Sequence, residues 1–594
     1  MLMKYCINEK RITATVQAVR WERIHLYLDV KVLFASEKEK EGELCFYAVN
    51  QLYYAQAEFQ ILSIENDIYH LKLNIANNGE NVCVPSGMYK IFVCKENDIL
   101  ADCEVTKEVI EHFPEYSRTF LLIRGTRCYT VAFSIEEDAE TLPFRLRTMY
   151  AAREEMEFPE NTGLLENLDI VGSLKASWAS KKRVLRTMYR FFRMLYKGKR
   201  EKTILFMSEQ NTVIASNLKA VSQKMIERGM DKEYQLLYSA RSAAASSQSI
   251  KSWIELIQKI AKSSTIIIDD HAPILDWLRL SEDTKLIQLW HAGAGFKSSG
   301  YSRWGQMGGP GPVSCHRQYS YGIAGSKKIR PFFSEVWGIN DEQILPTGMP
   351  RMDEFLREDY RKAKTEELYE KYAIFKGKKV ILFAPTYRGR NKRLANYPYE
   401  LIDFKGLYEA CKEEYVVAFK MHPWVSTKVP IPKEYKDKFI DLGKYPNIND
   451  LFYITDLLIT DYSSNIFEYS LMRKPMMFFA YDKVQYSLSR GFHRDYEESA
   501  PGKVCYTFAE LLEAFRNRDF EYEKVEEYVE HHFDYIDSNA SDRVIDWLIL
   551  GNIPKDLQAD IDRVRQKNER RKSLDFLPEG IIRGEDGKLI EEEI

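Results

Sequence analysis

The sequence predicts an α/β protein in which a β-rich domain precedes two successive doubly wound halves. From about residue 201 onward, apolar runs of strand length alternate with helical stretches, a pattern typical of parallel sheets covered by helices. The alternation occurs as two separate series, which indicates two halves that face a cleft. Residues 1–150 instead show the two-residue periodicity and turn signals of antiparallel strands.

A chain of 594 residues is too long for one hydrophobic core and indicates three or four folding units. The expected units are a β-rich accessory domain, a small sandwich or barrel, over 1–150; a linker with a basic amphipathic helix over 151–200; a first half over 201–372; a second half over 373–548; and a charged, loose tail over 549–594.

The strands of the two halves are predicted from buried-type apolar runs. In the first half these are Thr203–Met207, Tyr234–Tyr238, Thr265–Ile268 and Lys285–Trp290, with helices over Asn217–Arg228 and Ser249–Ala261. In the second half they are Lys379–Ala384, Val416–Lys420, Leu457–Thr460 and Met476–Ala480. Open parallel sheets bind ligands beyond the carboxyl ends of their strands. Residues that directly follow these runs are therefore the candidates for a functional site.

Bulk composition excludes several classes of protein. The net charge of −3 gives no overall attraction to nucleic acid, so none is expected as a partner. Nine scattered cysteines without a CxxC pair argue against a disulfide framework or a structural zinc site and favour a reducing cytoplasm. The sequence has no signal-peptide core and no apolar run of the ~18 residues that a membrane span needs. It also has no DxD, HExxH or P-loop pattern, so no tightly held metal is expected.

Two histidines follow predicted strands, one in each half. His291 follows the run LIQLW and enters a glycine-rich loop, while His422 follows VVAFK in the sequence Met421-His422-Pro423. These positions predict that the two histidines face each other across the cleft. One histidine with a near-neutral pKa can accept a hydroxyl proton, and another can donate a hydrogen bond to a phosphoryl oxygen.

A third candidate element follows the predicted strand that ends before Asp461. Ser463, Ser464 and Asn465 are capping-type residues ahead of the helical run IFEYSLM, and free amides at a helix start suit a diphosphate. Glu468, one turn later, is predicted to accept hydrogen bonds from ribose hydroxyls.

Two arginines at strand ends complete this cleft. Arg388 and Arg490 are predicted to clamp phosphate.

The linker contains a basic amphipathic helix. Between Lys181 and Arg200 there are nine Lys or Arg and no acid, beside an apolar stripe at helical spacing. Phe191 and Phe192 belong to the stripe, and Arg186, Arg190 and Arg193 flank it. This combination predicts docking on an anionic membrane surface. The alternative is that the stripe packs on the catalytic part of the chain and that the cations are solvated.

The ordered motifs of residues 200–545 resemble one known family. They are LWHAGAGFKSSGYSR, VWGINDEQILPTGMPRMDEF, FAPTYR, KMHP, DLLITDYSSNIFEYSLMRKPMMFFAYD and RGFHRDYEESAPGKVCYT. They are similar to those of the CDP-glycerol glycerophosphotransferases, the teichoic acid polymerases and primases. Many members have HGTP after the tryptophan, where this chain has His291-Ala292-Gly293-Ala294.

The resemblance implies a GT-B architecture of two Rossmann-like halves, in which the second half binds the CDP donor. It implies that His291 is the catalytic base and His422 the phosphate stabiliser, with Ser463, Ser464 and Glu468 at donor-binding positions. The expected reaction transfers glycerol phosphate from CDP-glycerol to a lipid-linked acceptor with release of CMP, at the inner face of the membrane.

Several alternatives to this reaction stay open. CDP-ribitol is the alternative donor, and a nucleotide-sugar glycosyltransferase or a non-catalytic scaffold for envelope polymer are the alternative functions. No tightly bound cofactor is expected, with Mg²⁺ admitted only as a loose companion of the diphosphate.

Overall fold

The computed structural model describes fifteen ranges of the chain: 12–35, 42–50, 55–95, 98–122, 127–136, 141–150, 178–198, 200, 202–241, 249–293, 295–306, 309–389, 392–573, 581–583 and 589–591. Cys6, most of the predicted linker and the end of the tail lie outside the described residues.

The N-terminal region is a predominantly antiparallel sheet of eleven strands. Its strands are β1 Ile12–Glu22, β2 His25–Phe34, β3 Leu44–Asn50, β4 Ala55–Glu65, β5 Ile68–Asn74, β6 Gly87–Lys95, β7 Asp98–Asp102, β8 Glu104–Val105, β9 Arg118–Leu122, β10 Arg127–Ile135 and β11 Phe144–Tyr150, with the short helices α1 Lys107–Glu111 and α2 Phe113–Tyr116. The main strand order is β8-β1-β2-β5-β4-β3-β6-β11-β10-β9, and β7 pairs with β6. Apolar side chains that alternate along these strands form one shared core, which confirms the predicted β-rich domain.

The first half contains a six-stranded parallel sheet in the order β13-β12-β14-β15-β16-β17. Its elements are α3 Trp178–Leu195, β12 Thr203–Ser208, α4 Ser216–Glu227, β13 Gln235–Ala240, α5 Ile250–Lys262, β14 Thr265–Ile268, β15 Lys285–Gln288, β16 Tyr321–Ile323, α6 Arg330–Trp337, β17 Ile344–Leu345, α7 Met352–Phe355 and α8 Glu358–Lys371.

The second half contains another six-stranded parallel sheet, in the order β20-β19-β18-β21-β22-β23. Its elements are β18 Lys379–Phe383, α9 Phe404–Cys411, β19 Tyr415–Phe419, β20 Phe439–Asp441, α10 Ile448–Phe452, β21 Thr455–Thr460, α11 Ile466–Ser470, β22 Met476–Phe479, α12 Lys483–Ser489, α13 Tyr496–Ser499, β23 Lys503–Cys505, α14 Phe508–Asn517 and α15 Glu523–His532. The two parallel sheets confirm the predicted pair of Rossmann-like halves in the GT-B arrangement.

The chain returns to the first half after α15. Helix α16 Ala540–Arg543 continues into a π-helical turn, Val544–Ile549, whose apolar side chains share a core with β12, α4 and β15. The predicted domain boundaries stay predictions, but the last segment assigned to the second half is anchored on the first.

The expected loose tail is wrong for residues 555–573, which form the helix α17 Lys555–Ser573. Leu557 of α17 is buried, and Asp560 pairs with Arg330 at 3.1 Å. The hairpin β24 Ile581–Arg583 and β25 Leu589–Glu591 follows. None of the described helices is long and apolar enough to cross a membrane.

The N-terminal domain packs directly on the first half. Trp304 and Tyr301 of the first half are members of the β-rich core. The Trp304 ring stacks on Phe120 with centroids 5.4 Å apart. At Gly305, which has a φ of +81°, a Cβ atom would lie 2.9 Å from the Phe120 side chain, so glycine permits this close approach.

Candidate active site

His291 sits on a tightly held turn after β15. Trp290 has a φ of +49°, a conformation that costs energy for a bulky residue. The buried amide of Asn217 fixes it by donating hydrogen bonds to the Leu289 and Trp290 carbonyl oxygens at 3.1 and 2.7 Å. Gln288 Oε1 accepts from the Trp290 N–H at 2.8 Å. The strand end is therefore rigid, and it presents a half-exposed imidazole.

A carboxylate and a carbonyl group face one side of the His291 ring. Nδ1 lies 3.5 Å from Asp270 Oδ2 and 3.4 Å from the Asp269 carbonyl oxygen. Acceptors on that side favour a proton on Nδ1, which leaves Nε2 able to accept one. This is the arrangement that a general base requires.

In the His422 ring the hydrogen-bond donor and acceptor nitrogens are reversed relative to His291. Its Nδ1 accepts a hydrogen bond from the Trp424 N–H at 3.2 Å, so in the neutral ring the proton is on Nε2. Burial lowers the pKa of His422, and the nearby cations Lys297 and Lys420 lower it further. A neutral imidazole with an N–H is suited to donate a hydrogen bond to a phosphoryl oxygen.

A cationic cavity of about 320 Å³ lies between the two halves at their strand ends. Its polar lining includes His291, Ser464, Lys297, Arg303 and Arg490. The residues that line it, all of which the structure describes, include no Asp or Glu. Three cations without an acidic neighbour in the wall indicate an anionic ligand.

Lys297 is a site residue that the sequence analysis did not single out. Burial lowers the pKa of Lys297 to about 8, and the nearby Arg490 adds to this effect, although Asp461 opposes it. Lys297 pairs with Phe492 in an isolated antiparallel β-bridge, which joins the glycine-rich loop to the loop that carries Arg490. The position of Lys297 six residues after His291, in a motif shared with the family, was the available signal.

Arg351 links the two halves and was also missed. Its Nη1 donates to the His291 carbonyl oxygen at 2.6 Å, its Nη2 pairs with the Glu468 carboxylate, and its N–H donates to Asn217 Oδ1 at 2.9 Å. Glu468 is buried, so its carboxylate is held at the junction between the halves. Its predicted contact with a ribose stays a prediction.

Arg388 is held by two carboxylates beneath the cavity. It contacts Asp461 Oδ2 at 2.9 Å and binds both oxygens of Asp482, at 2.6 and 2.9 Å. Burial acts to lower the pKa of Arg388, but these two carboxylates outweigh it and raise the pKa. Asp461 also accepts the Thr386 and Tyr462 N–H groups, so it fixes two strand ends. A role for Arg388 in phosphate binding stays a prediction.

The helix after Asp461 is shorter than the sequence pattern indicated. Helix α11 has five residues, and Ser463 Oγ accepts from the Asn465 N–H at 3.3 Å. Ser464 lines the cationic cavity together with His291 and Arg490. His422, Arg388, Ser463 and Glu468 lie outside its lining.

One group within the described ranges could hold a metal ion: His271, Asp276 and Cys315, whose ligand atoms lie within 4.8 Å of one another. In the structure these side chains satisfy one another. Asp276 Oδ1 accepts from the Cys315 N–H at 2.6 Å, and Asp276 Oδ2 lies 3.0 Å from His271 Nε2. The three side chains therefore form a hydrogen-bonded cluster, and His271 directly follows Asp270, which lies beside His291.

Two Rossmann-like halves with a cationic cavity at their strand ends define a protein of the GT-B fold. Residues 187–550 match the model of the family described as CDP-Glycerol:Poly(glycerophosphate) glycerophosphotransferase. The chain belongs to this family, whose members include teichoic acid polymerases and primases.

Individual relatives match different shares of the chain. The chain is 37% identical over 373 residues to the teichoic acid ribitol-phosphate polymerase TarK of Staphylococcus aureus, and this alignment covers 62% of the chain and 72% of TarK. It is 38% identical to the teichoic acid poly(ribitol-phosphate) polymerase of Bacillus spizizenii, over 58% of this chain and 56% of that protein. It is 30% identical to the teichoic acid glycerol-phosphate primase of Bacillus subtilis, over 50% of this chain and 76% of that protein.

Among solved structures, the wall teichoic acid polymerase TagF aligns with a TM-score of 0.47 and 24% identity, over 64% of this chain and 96% of that one.

The low pKa of Lys297 leads to a prediction about ligand binding. Lys297 is charged below pH 8 and neutral above it. We therefore expect the affinity for CDP, measured by calorimetry, to fall by up to about tenfold between pH 7 and pH 9, as the charged fraction falls. The Lys297→Arg variant should bind CDP with little change over this range, because arginine stays charged.

Lys285→Arg is the matched control, since the Lys285 amine is also partly buried but donates to the Leu548 and Ile549 carbonyls. If Lys297→Arg keeps the wild-type pH dependence, Lys297 does not contact the anion.

Proposed function

We propose that this enzyme transfers a polyol phosphate from a CDP-activated donor to a teichoic-acid-type acceptor. The observation that carries the proposal is the acid-free cavity in which Lys297, Arg303 and Arg490 meet His291 and Ser464. Membership in the family supports the same chemistry.

In the proposed reaction, a terminal hydroxyl oxygen of the acceptor attacks the β-phosphorus of the donor. The hydroxyl proton passes to His291 Nε2, the bond between the β-phosphorus and the CMP oxygen breaks, and a phosphodiester and CMP result. His422 donates a hydrogen bond to a phosphoryl oxygen. Positioning and charge stabilisation supply most of the catalysis, because phosphoryl transfer needs little covalent help from the protein.

For the transferred unit we favour ribitol phosphate over the glycerol phosphate that was the first choice from the sequence. Relatives that are 37–38% identical are named for ribitol phosphate. Glycerol phosphate is the second candidate, since relatives of 30–31% identity are named for either unit and the cavity provides only an anion-binding chemistry.

The direct test incubates the purified chain with a lipid-linked acceptor and either CDP-ribitol or CDP-glycerol, and identifies the products by mass. Growth of the acceptor by ribitol phosphate units with release of CMP is the expected result. No growth from either CDP-polyol, with addition of a sugar in a parallel reaction that contains a nucleotide sugar, would overturn the proposal. Matched reactions with EDTA test whether a Mg²⁺ ion loosely bound to the diphosphate contributes to the reaction, and retained activity would show that the ion is dispensable.

For His291 we expect that replacement by alanine lowers the rate of the chemical step by about 10²–10⁴, the usual range for a positioned general base. CDP affinity should stay within about threefold of the wild type, because the cations of the cavity are untouched. Single-turnover kinetics and calorimetry measure the two quantities. His271→Ala, in the cluster behind the same turn, is the control for local disruption, and a His291→Ala variant with near-normal turnover would exclude His291 as the base.

For the donor site we expect Ser464→Phe to weaken CDP-polyol binding by about tenfold or more, since the bulky ring would fill the cavity wall. Ser464→Ala removes the hydroxyl without filling the space and serves as the matched control. Glu468→Ala should also weaken binding, either through a lost ribose contact or because Arg351 loses its partner. Unchanged CDP affinity in Ser464→Phe and Glu468→Ala would place the donor elsewhere.

We further propose that the enzyme works at the inner face of the cell membrane, where α3 docks on anionic lipid. Three of the five residues predicted to dock on lipid contact the protein instead. Arg186 donates to the Trp277 carbonyl at 2.8 Å, Arg193 binds Ser281 and Asp283, and Phe192 packs against the first-half core. These three residues therefore hold α3 on the protein.

A second face of α3 is available to a membrane. Val184, Phe191, Met194 and Leu195 are 46–61% exposed, and Val184, Phe191 and Leu195 share one face at spacings of seven and four residues. Arg183, Arg190 and Lys197 form a row beside them at seven-residue spacing. Each cation near an acidic membrane contributes up to about 1 kcal/mol, so partial burial of this face would give salt-sensitive binding.

In liposome sedimentation we expect binding to vesicles with anionic lipid at low salt and loss of most of it at high salt. The double variant Phe191→Ser, Leu195→Ser should reduce binding by about fivefold or more. Ile226→Ser is the control, because Ile226 is 48% exposed on α4. Binding that is absent at low salt, or equal in the double variant and the wild type, would contradict docking through this face.

A further inference from the structure

Three parts of the chain meet at the buried carboxylate of Glu335. Glu335 belongs to α6 of the first half and is only 3% exposed. It accepts two hydrogen bonds from Arg23 of the N-terminal domain, with Nε at 2.7 Å and Nη2 at 2.9 Å. It also lies 3.0 Å from Nε2 of His493 in the second half. A bidentate pair with a guanidinium fixes both position and orientation of a carboxylate.

His493 belongs to the loop that supplies the cavity with Arg490. The loop is joined to the glycine-rich loop of the first half: the His493 N–H donates to the Phe296 carbonyl at 2.8 Å, and the Ser298 N–H donates to the Gly491 carbonyl at 3.2 Å. Lys297 and Phe492 form the β-bridge between these bonds. Two of the three cations of the cavity, Lys297 and Arg490, are therefore carried by one small paired unit.

His493 is the side chain of this paired unit that contacts Glu335. His493 is 1% exposed, and its ring packs edge-on against Phe332 with centroids 5.2 Å apart. Phe332 lies on α6 with Glu335, and both His493 and Phe332 line the cavity. His493 thus joins the paired unit to α6, and the carboxylate that it contacts is held in turn by Arg23.

The N-terminal domain is fixed well enough to act as a support. Arg23 sits in the tight turn between β1 and β2 with a φ of +53°, and Arg118 Nη1 donates to its carbonyl oxygen at 3.0 Å. The stacking of Trp304 on Phe120 anchors the domain on the first half. Burial acts to raise the pKa of Glu335, but His493 and Arg23 outweigh it, so the carboxylate stays charged.

We propose that the N-terminal β-rich domain is an integral support of the anion-binding site, in which Arg23 and Glu335 are positioning residues that act through His493 on the paired unit carrying Lys297 and Arg490. The inference rests on the proposed function only in that the cavity binds a diphosphate. It gives the β-rich domain a role in the site although none of the domain's described residues lines the cavity.

The test measures binding of CDP and of inorganic pyrophosphate to the full-length chain by calorimetry. Arg23→Ala should weaken both by about tenfold, since small displacements of aligned groups are costly. Arg23→Lys keeps the charge and should restore part of the affinity. Asn340→Ala is the matched control, because it removes a polar contact across the same interface without touching Glu335, and it should bind like the wild type.

Glu335→Gln and His493→Phe provide a second line of evidence, since each cuts the chain of contacts at another point while nearly preserving volume. Both should weaken pyrophosphate binding, and a double variant Arg23→Ala, Glu335→Gln should lose little more than either single change. Thermal unfolding of each variant identifies any that fail to fold, and these are left out of the comparison. If Arg23→Ala is among them, Arg23→Lys takes its place.

The outcomes separate this inference from the proposed function. If the wild type binds CDP and pyrophosphate but transfers no polyol phosphate, the proposed function fails and the positioning role stands or falls on the variants alone. If Arg23→Ala binds both anions as the wild type does, or if Asn340→Ala weakens binding equally, the positioning role is wrong. If the wild type binds neither anion, both are wrong.

Discussion

The candidate site depends on one buried amide, that of Asn217. Its side chain donates to the last two carbonyls before His291 and accepts the Arg351 N–H. Because a buried carbonyl left without a partner is costly, this amide makes the left-handed Trp290 affordable at the strand end. Arg351 then carries the same network to the His291 carbonyl and to Glu468 of the other half. His291 and the second half are thus both positioned relative to Asn217 of α4.

A second constraint is the separation of charge around the cavity. Asp461 and Asp482 are committed to Arg388 and to the strand ends, while the cavity wall holds Lys297, Arg303 and Arg490 without an acid. The burial of Lys297 and Arg303, together with the positive charge of the nearby Arg490, raises the free energy of the empty site. The negative charge of a diphosphate would offset both effects. The lowered pKa of Lys297 therefore points to the same ligand as the cationic wall does.

Much of the fold was predictable because its signals are local. The strand Thr265–Ile268 was predicted with its observed bounds, and the other predicted strands of the halves differ from the structure by one or two residues at their ends. A run of four or five apolar residues between turns has the length of a strand and is too short for a typical helix. The short strands β16, β17, β20 and β23 carry too few residues for periodicity and were not predicted.

The site was predictable only where a residue follows a strand. His291 and Ser464 were found by this rule and reach the cavity. Arg351, Lys297 and Glu335 act through partners that are 60 to 312 positions away in the chain, as in the bonds from Arg351 to His291 and from Arg23 to Glu335, and no periodicity encodes such pairs. The helix α3 shows the same limit. Its amphipathic pattern was predicted correctly, but the pattern does not distinguish side chains that pack on the first half, such as Leu185 and Tyr189, from those on the exposed face. Only the packing in the structure separates the two faces.

This placement of α3 bears on how an acceptor anchored in lipid would meet the base. Helix α3 is held by Arg186 and Arg193 to the segment between β14 and β15, and His291 follows β15 directly. A membrane that bound the exposed face of α3 would therefore be coupled to the half that carries His291, not to the half predicted to hold the donor. An acceptor that stays in the bilayer would then need to find only one half of the cleft, while CDP-polyol from the water phase could enter from the other.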